Sequence, residues 1–220
     1  TKQVALKDFE VTRYSKPIVT IKLKDNDELI NADISKDEVL LVTNNGYYLR
    51  YKTEEIPVVG LKASGVKAMS LKDDYLVYAS PINESEYLNI YTNNKTIKRV
   101  KLTDLEVFSR AKKGQMLYKK LKTKEVKINF AYLTSSKDIN IYREDGEIKE
   151  LKNSDIPIMD LASVGSSVKF NYDNFALYKE GIKLDDKETD NKEIVKEPDE
   201  KLTRKEEQLS FASFIDDFKI

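Results

Sequence analysis

No cysteine, histidine or tryptophan occurs among the 220 residues. Without cysteine there is no disulfide framework and no thiolate metal site; without histidine the commonest metal ligand and the commonest general base are both missing. Most catalytic constellations are out of reach, and the sequence predicts no catalytic residue, no cofactor and no metal. Long apolar runs are lacking too. None approaches the roughly 18 residues needed to cross a bilayer, and Thr1 to Lys7 carry no leader pattern. The expectation is a cytoplasmic chain with no membrane partner. What is present is a 40% apolar fraction, enough for a core, beside a 35% charged fraction that demands solvent.

A net charge of zero hides two unlike segments. Residues 1–184 hold 31 basic and 26 acidic residues, whereas 185–220 hold 7 and 12. A basic body therefore carries an acidic tail. The bias is steepest from Lys95 to Lys127, where twelve cations face only Asp104, Glu106 and Glu125.

A repeat of about 50 residues organises the body. The turns Thr43-Asn44-Asn45-Gly46, Thr92-Asn93-Asn94-Lys95 and Arg143-Glu144-Asp145-Gly146 recur at this step, and so do Pro17, Gly65, Gly114 and Gly165. Val4 to Glu10 matches Val100 to Glu106, and Glu55-Ile56-Pro57 matches Asp155-Ile156-Pro157. Four units follow, at about 1–46, 47–95, 96–146 and 147–184, with 185–220 as an acidic linker and a short amphipathic end.

Within the units the signals are those of strands. Ile18 to Leu23 alternates, Val39 to Thr43 is a short apolar run, and Tyr87 to Tyr91 and Asp138 to Tyr142 alternate cleanly before turn residues suited to tight hairpins. Several such strands per 50 residues predict an all-β, propeller-like chain of four-stranded blades. Tyr47, Tyr48 and Tyr51, at strand spacing, are expected to pack between sheets rather than stack on bases. Asp25, Asp27 and Glu28 lack the glycine and terminal glutamate of a calcium loop and read as a polar turn.

With these residues placed, the chain resembles the C-terminal DNA-wrapping domain of bacterial type IIA topoisomerase A subunits, that of topoisomerase IV in particular. The resemblance rests on Asp8-Phe9 with Thr12 to Pro17, on Asp25 to Ile30 and Leu40 to Gly46, on Glu55 to Lys67, and on Ser109 to Gly114. It implies a β-pinwheel, a propeller-like fold whose blades exchange strands and bend duplex DNA around a rim. Cleavage and ATP hydrolysis would take place in other domains, in a homodimer of A subunits joined by B subunits, near the nucleoid. The basic, glycine-rich heptad of gyrase has no intact copy here, and Arg110 to Gly114 is only a degenerate cousin of it.

Backbone binding to a duplex needs spaced cations, because each neutralised phosphate releases counterions. The loops before the landmark residues offer Arg13 and Lys16, then Lys62 and Lys67, then Arg110, Lys112 and Lys113. Lys98, Arg99, Lys119 and Lys120 complete the expected DNA-binding set, Lys119 and Lys120 reading equally as the guarded edge of a strand. The loop glycines are expected to let backbone N–H groups approach phosphate. Leu161 to Gly165 carries no cation, so the track should fade there. In the tail, Leu209, Phe211, Ala212, Phe214, Ile215 and Phe218 fall at helical spacing and suggest a docking segment. The alternative to a DNA-binding domain is a propeller-type protein-interaction module, which would carry Trp-Asp or double-glycine signatures.

Overall fold

The computed structural model describes residues 1–10, 15, 17–25, 27–120, 124–172 and 174–178. In chain order its strands are β1 (Glu38–Thr43), β2 (Tyr47–Lys52), β3 (Leu76–Pro81), β4 (Tyr87–Thr92), β5 (Thr96–Lys101), β6 (Gln115–Met116), β7 (Ile128–Thr134), β8 (Ile139–Glu144), β9 (Glu147–Lys152), β10 (Ser166–Ser167) and β11 (Asn174–Tyr178). The pairs β1–β2, β4–β5 and β8–β9 are antiparallel hairpins. Their turns bend through left-handed residues, Gly46, Lys95, Asp145 and Gly146, with φ of 86°, 56°, 51° and 86°. All eleven strands lie in a unit made of Thr1–Asp8 and Val19–Ile182. A second unit comprises Phe9–Ile18 and Lys183–Ile220; its few described residues form no strand. No helix among the described residues is long and apolar enough to cross a membrane.

The three hairpins belong to three antiparallel sheets, ordered β3-β1-β2-β6, β10-β5-β4-β7 and β11-β8-β9; the first two hairpins are central, and the third has β9 at its edge. This is the all-β, strand-exchanging architecture expected. The repeat limits at 46, 95 and 146 fall on the hairpin turns, so every sheet takes strands from more than one repeat. The exchange skips a hairpin: β6 passes the nearer β4–β5 hairpin and pairs with β2, and β10 passes β8–β9 and pairs with β5. The segment from Ile18 to Leu23, expected as a strand, is not one. Its first residues occupy the repeat position of β6 and β10, and among the described residues no strand pairs with them.

Packing is concentrated between neighbouring sheets. Leu40, Val42 and Tyr48 of the first sheet meet Leu88, Ile90, Val100, Ile128 and Leu133 of the second in one buried cluster, sealed by Leu117 just after β6. Each buried apolar side chain of this size contributes about 1.5–3 kcal/mol. Between the second and third sheets the contact is aromatic. Tyr91 lies 4.0 Å from Phe175 and Tyr142 lies 4.2 Å from Phe170, centroid to centroid. A buried polar network runs beside them. Asn89 donates to Asn140 and Asn153, Tyr91 donates to the same Asn140 oxygen, and Asn153 donates onward to Thr134 and the Ser135 carbonyl. Because these partners satisfy one another, the network favours a single register over slipped alternatives.

Candidate nucleic-acid interface

Three residues at the same repeat position lock each hairpin to the next. Gln3, Arg50 and Arg99 form isolated parallel bridges with Val58, Val107 and Ile158. Their side chains then cap the 3-10 turn that follows the next hairpin. Gln3 donates to the carbonyls of Thr53 and Ile56 (2.8 and 2.9 Å), Arg50 to those of Leu102 and Leu105 (2.7 and 3.0 Å), and Arg99 to those of Ile156 and Ser154 (2.6 and 3.3 Å). Orphan carbonyls at the turns explain why donors are needed there. Arg99 is buried, with its guanidinium over the Tyr87 ring. It is a structural clamp and not a rim cation.

Lys98 is corrected in the same way. Its side chain is 1% exposed, and its ammonium donates to the carbonyls of Leu117, Asp160 and Ser163 at 2.7, 2.8 and 2.7 Å. Lys2 makes the matching cage one junction earlier, on Thr20, Gly60 and Leu61. Burial pulls the Lys98 ammonium down to about 8, with the Asp160 carboxylate opposing. Between pH 8 and the ordinary lysine range near 10.5, the unfolded chain therefore holds a proton that the folded chain has released. The Lys98 contribution to unfolding free energy should consequently rise with pH across that window, by up to a few kcal/mol, against an opposing fall from the buried tyrosines, whose hydroxyls burial holds protonated above their ordinary range. Chemical denaturation of the wild type and of Lys98→Met at pH 8 and 10 checks this: the stability of the wild type relative to the variant should be greater at pH 10 than at pH 8, the tyrosine contributions being common to both.

Arg110 is half-buried and also partly spent. It donates to the Glu55 carbonyl (2.9 Å) and to the Lys67 carbonyl, while its own N–H meets the Glu55 carboxylate at 2.8 Å. The landmark glycines have a packing role. At Gly65, Gly114 and Gly165, a Cβ would stand 2.4, 1.8 and 2.8 Å from the carbonyl oxygens of Thr1, Tyr48 and Ile97. Their close approach is to the chain that receives β6, β10 or their equivalent.

The cations left at the surface are Lys62, Lys67, Lys112, Lys113, Lys119 and Lys120, all exposed. Arg13 and Lys16 lie outside the described residues. Docking of Gly114 on Tyr48 fixes Lys113, whose ammonium sits 4.1 Å over the Tyr47 ring. After β6 the chain is held by the Leu117 N–H on the Gly46 carbonyl (2.8 Å) and the Lys119 N–H on the Ala162 carbonyl (3.1 Å). The Tyr118 ring lies against Gly46, and its hydroxyl donates to Asn45 and Val126.

Beside this segment is an open groove of about 580 Å³ into which Lys72, Lys113, Lys120, Lys124 and Lys127 project. Its acids are Asp74 and Glu125. Asp74 is occupied by the backbone N–H groups of Asn45 and Tyr75, and Glu125 pairs with Lys127 at 3.0 Å. Lys72, Lys120 and Lys124 make no ion pair among the described residues. The groove can thus present a cluster of ammonium groups about a solvent-filled channel, with little internal neutralisation. Sequence reasoning missed Lys72, which sits in a Lys-Asp-Asp run that looks electrically neutral. Only the crossing of β6 to β2 brings it opposite Lys120 and Lys124.

Residues 1–36, 37–83 and 92–135 match the family described as DNA gyrase C-terminal domain, beta-propeller. The topoisomerase 4 A subunit of Staphylococcus epidermidis is 38% identical over 130 residues, covering 58% of this chain and 16% of that protein. Its Streptococcus pneumoniae counterpart is 33% identical over 187 residues, covering 76% and 23%. This chain thus spans less than a quarter of the curated relatives it matches. A crystal structure of the C-terminal domain of DNA topoisomerase IV superposes with a TM-score of 0.72 at 31% identity, covering 80% of this chain and 58% of that one.

Proposed function

We propose, from the premise that this chain belongs to the DNA gyrase C-terminal domain family, that it binds duplex DNA by its phosphate backbone and bends it. The lysine-lined groove carries this reading. Ammonium groups at Lys72, Lys113, Lys120 and Lys124 close no ion pair among the described residues and outnumber the two carboxylates of the groove, Asp74 and Glu125, so a polyanion is the complementary ligand. Lys62, Lys67, Lys112 and Lys119 extend the cation field along the loops. Binding of this kind positions the duplex without reading its bases. A moderate bend costs about 1–6 kcal/mol, offset by added contacts along the curve.

In the parent polypeptide, which we take to be the A subunit of a bacterial topoisomerase IV, the domain would present the transported segment for ATP-dependent strand passage and decatenation. Cleavage would belong to other parts of a homodimer of A subunits working with B subunits, at the nucleoid. Residues 185–220 would be an acidic extension of the domain.

Titrating duplex affinity against salt tests the reading. Log affinity should fall steeply and linearly with log salt, with a slope of about −0.9 for each phosphate contacted. A slope near zero sinks it.

A further inference from the structure

We propose that Arg110 is a positioning residue for duplex binding, one that sets the backbone of residues 110–113 in a register of its own and thereby places Lys112 and Lys113 against phosphate. The proposal rests on the DNA-binding reading above.

The observation behind it is an exchange of residues between equivalent places. Lys2, Leu49 and Lys98 share one repeat position; Leu61, Arg110 and Leu161, each four residues before a landmark glycine, share another. Cation and leucine have therefore changed places at the middle junction. At the two outer junctions the strand-side ammonium is caged by carbonyls of the docked loop. At the middle one Leu49 is 0% exposed, packed with Ile56 and Met69, and offers no proton. The donor comes instead from the loop: the Arg110 guanidinium reaches the carbonyls of Glu55 and Lys67.

This exchange alters the loop backbone. The Leu117 carbonyl, third after Gly114, accepts from the Lys98 ammonium. Its counterpart at Ala68 accepts from the Ala111 N–H at 2.9 Å. Ala111 turns left-handed to make that bond, with φ of 65°, whereas Lys62 and Ala162 at the same repeat position do not. The pairing also slips by one residue. The Ser70 N–H meets the carbonyl of Lys112, two before Gly114, while the Lys119 N–H meets that of Ala162, three before Gly165. A residue with a Cβ adopts a left-handed φ only at a cost. The bonds on either side offset it: two from the Arg110 side chain, and the Arg110 N–H on the Glu55 carboxylate at 2.8 Å.

The loop held in this way is the one that carries the cations. Where the others have Ala63-Ser64 and Ser163-Val164, it has Lys112-Lys113. Both side chains are exposed, and neither closes an ion pair among the described residues. Lys112 is tied through its carbonyl, and the Lys113 ammonium rests 4.1 Å over the Tyr47 ring, a contact that orders it without neutralising it. Cations ordered before the duplex arrives lose less freedom on binding.

The test exchanges the pair in the 220-residue chain. Arg110→Leu removes the staple, and Leu49→Lys with Arg110→Leu rebuilds the junction in the manner of Lys98. The exchanged chain should regain the denaturant midpoint that Arg110→Leu loses. It should still bind duplex about tenfold more weakly than wild type, with a salt slope shallower by about 1 to 2. In a Lys112→Gln/Lys113→Gln background the same exchange should change affinity by less than about twofold. Without DNA, the Tyr47 ring current should displace the Lys113 ε-methylene resonance upfield in wild type and not in the exchanged chain. Wild-type affinity in the exchanged chain overturns the proposal, as does an unaltered Lys113 resonance. A full tenfold loss in the glutamine background overturns it by making Arg110 a phosphate ligand in its own right. An exchanged chain no more stable than Arg110→Leu overturns it by making Arg110 indispensable to the fold and not to the loop alone. If wild type itself binds no duplex, the DNA-binding reading fails, and the Lys113 resonance decides separately whether Arg110 sets the loop.

Discussion

Gly114→Ala should be the most damaging single-methyl change in this chain, lowering stability by about 4 kcal/mol or preventing folding altogether. Two costs coincide at this position. The φ of 79° is one that a residue with a Cβ adopts only at a cost of about 1–2 kcal/mol. The added carbon would then lie 1.8 Å from the Tyr48 carbonyl, a backbone atom that cannot swing aside. Relief requires β6 to lift from β2, which exposes Leu117 and opens the cluster around Leu88 and Ile128. Gly146→Ala is the matched control. With a φ of 86° and nothing within 4 Å of its Cβ, it should cost about 1 kcal/mol. Denaturant midpoints of the two variants separate backbone strain from steric collision; equal losses would mean that β6 is not seated on β2 as described.

A quadruple variant, Lys72→Gln, Lys113→Gln, Lys120→Gln and Lys124→Gln, should fold normally and lose most of its duplex affinity. Every one of these side chains is at the surface of the groove, and none closes an ion pair among the described residues. If each meets one phosphate, the salt slope should become shallower by about 3 to 4, and affinity at low salt should drop by about 100- to 1000-fold. Single variants should lose far less, and roughly equally on any sequence, since contacts to phosphate do not read bases. A quadruple variant with unaltered slope would move the DNA path away from the groove while leaving the fold assignment untouched.

The hairpins and their step were readable because turn residues and alternation are local. Asn-Asn-Gly ends a strand wherever it occurs, and β1, β4 and β8 stand where the apolar runs place them. Partnership was not readable. Nothing near Gln115 announces that it will pair with Tyr48 and not with the nearer hairpin, since that choice is made by what the distant strand leaves exposed. The same gap explains the misjudged cations. Lys98 and Arg99 sit in a basic run, and charge alone suggests the surface; their fate was settled by carbonyls of Leu117, Ile156 and Asp160. One signal was available: Arg50 and Arg99 share the repeat step, and a cation that recurs on an otherwise buried strand marks a joint. The glycines likewise showed their recurrence but not its cause, which is a neighbouring main chain in each of three places.

Pairing across an intervening hairpin also sets an order of events during synthesis. β2 leaves the ribosome more than sixty residues before β6, and at ~5–20 residues per second that is an interval of about 3–13 s. Throughout it the first sheet has an unpaired flank, and the second sheet meets the same delay before β10 arrives. A nascent chain of this design therefore advances with one flank always awaiting its mate, so pausing, chaperone capture and mispairing between adjacent polypeptides on a polysome should all fall within these windows.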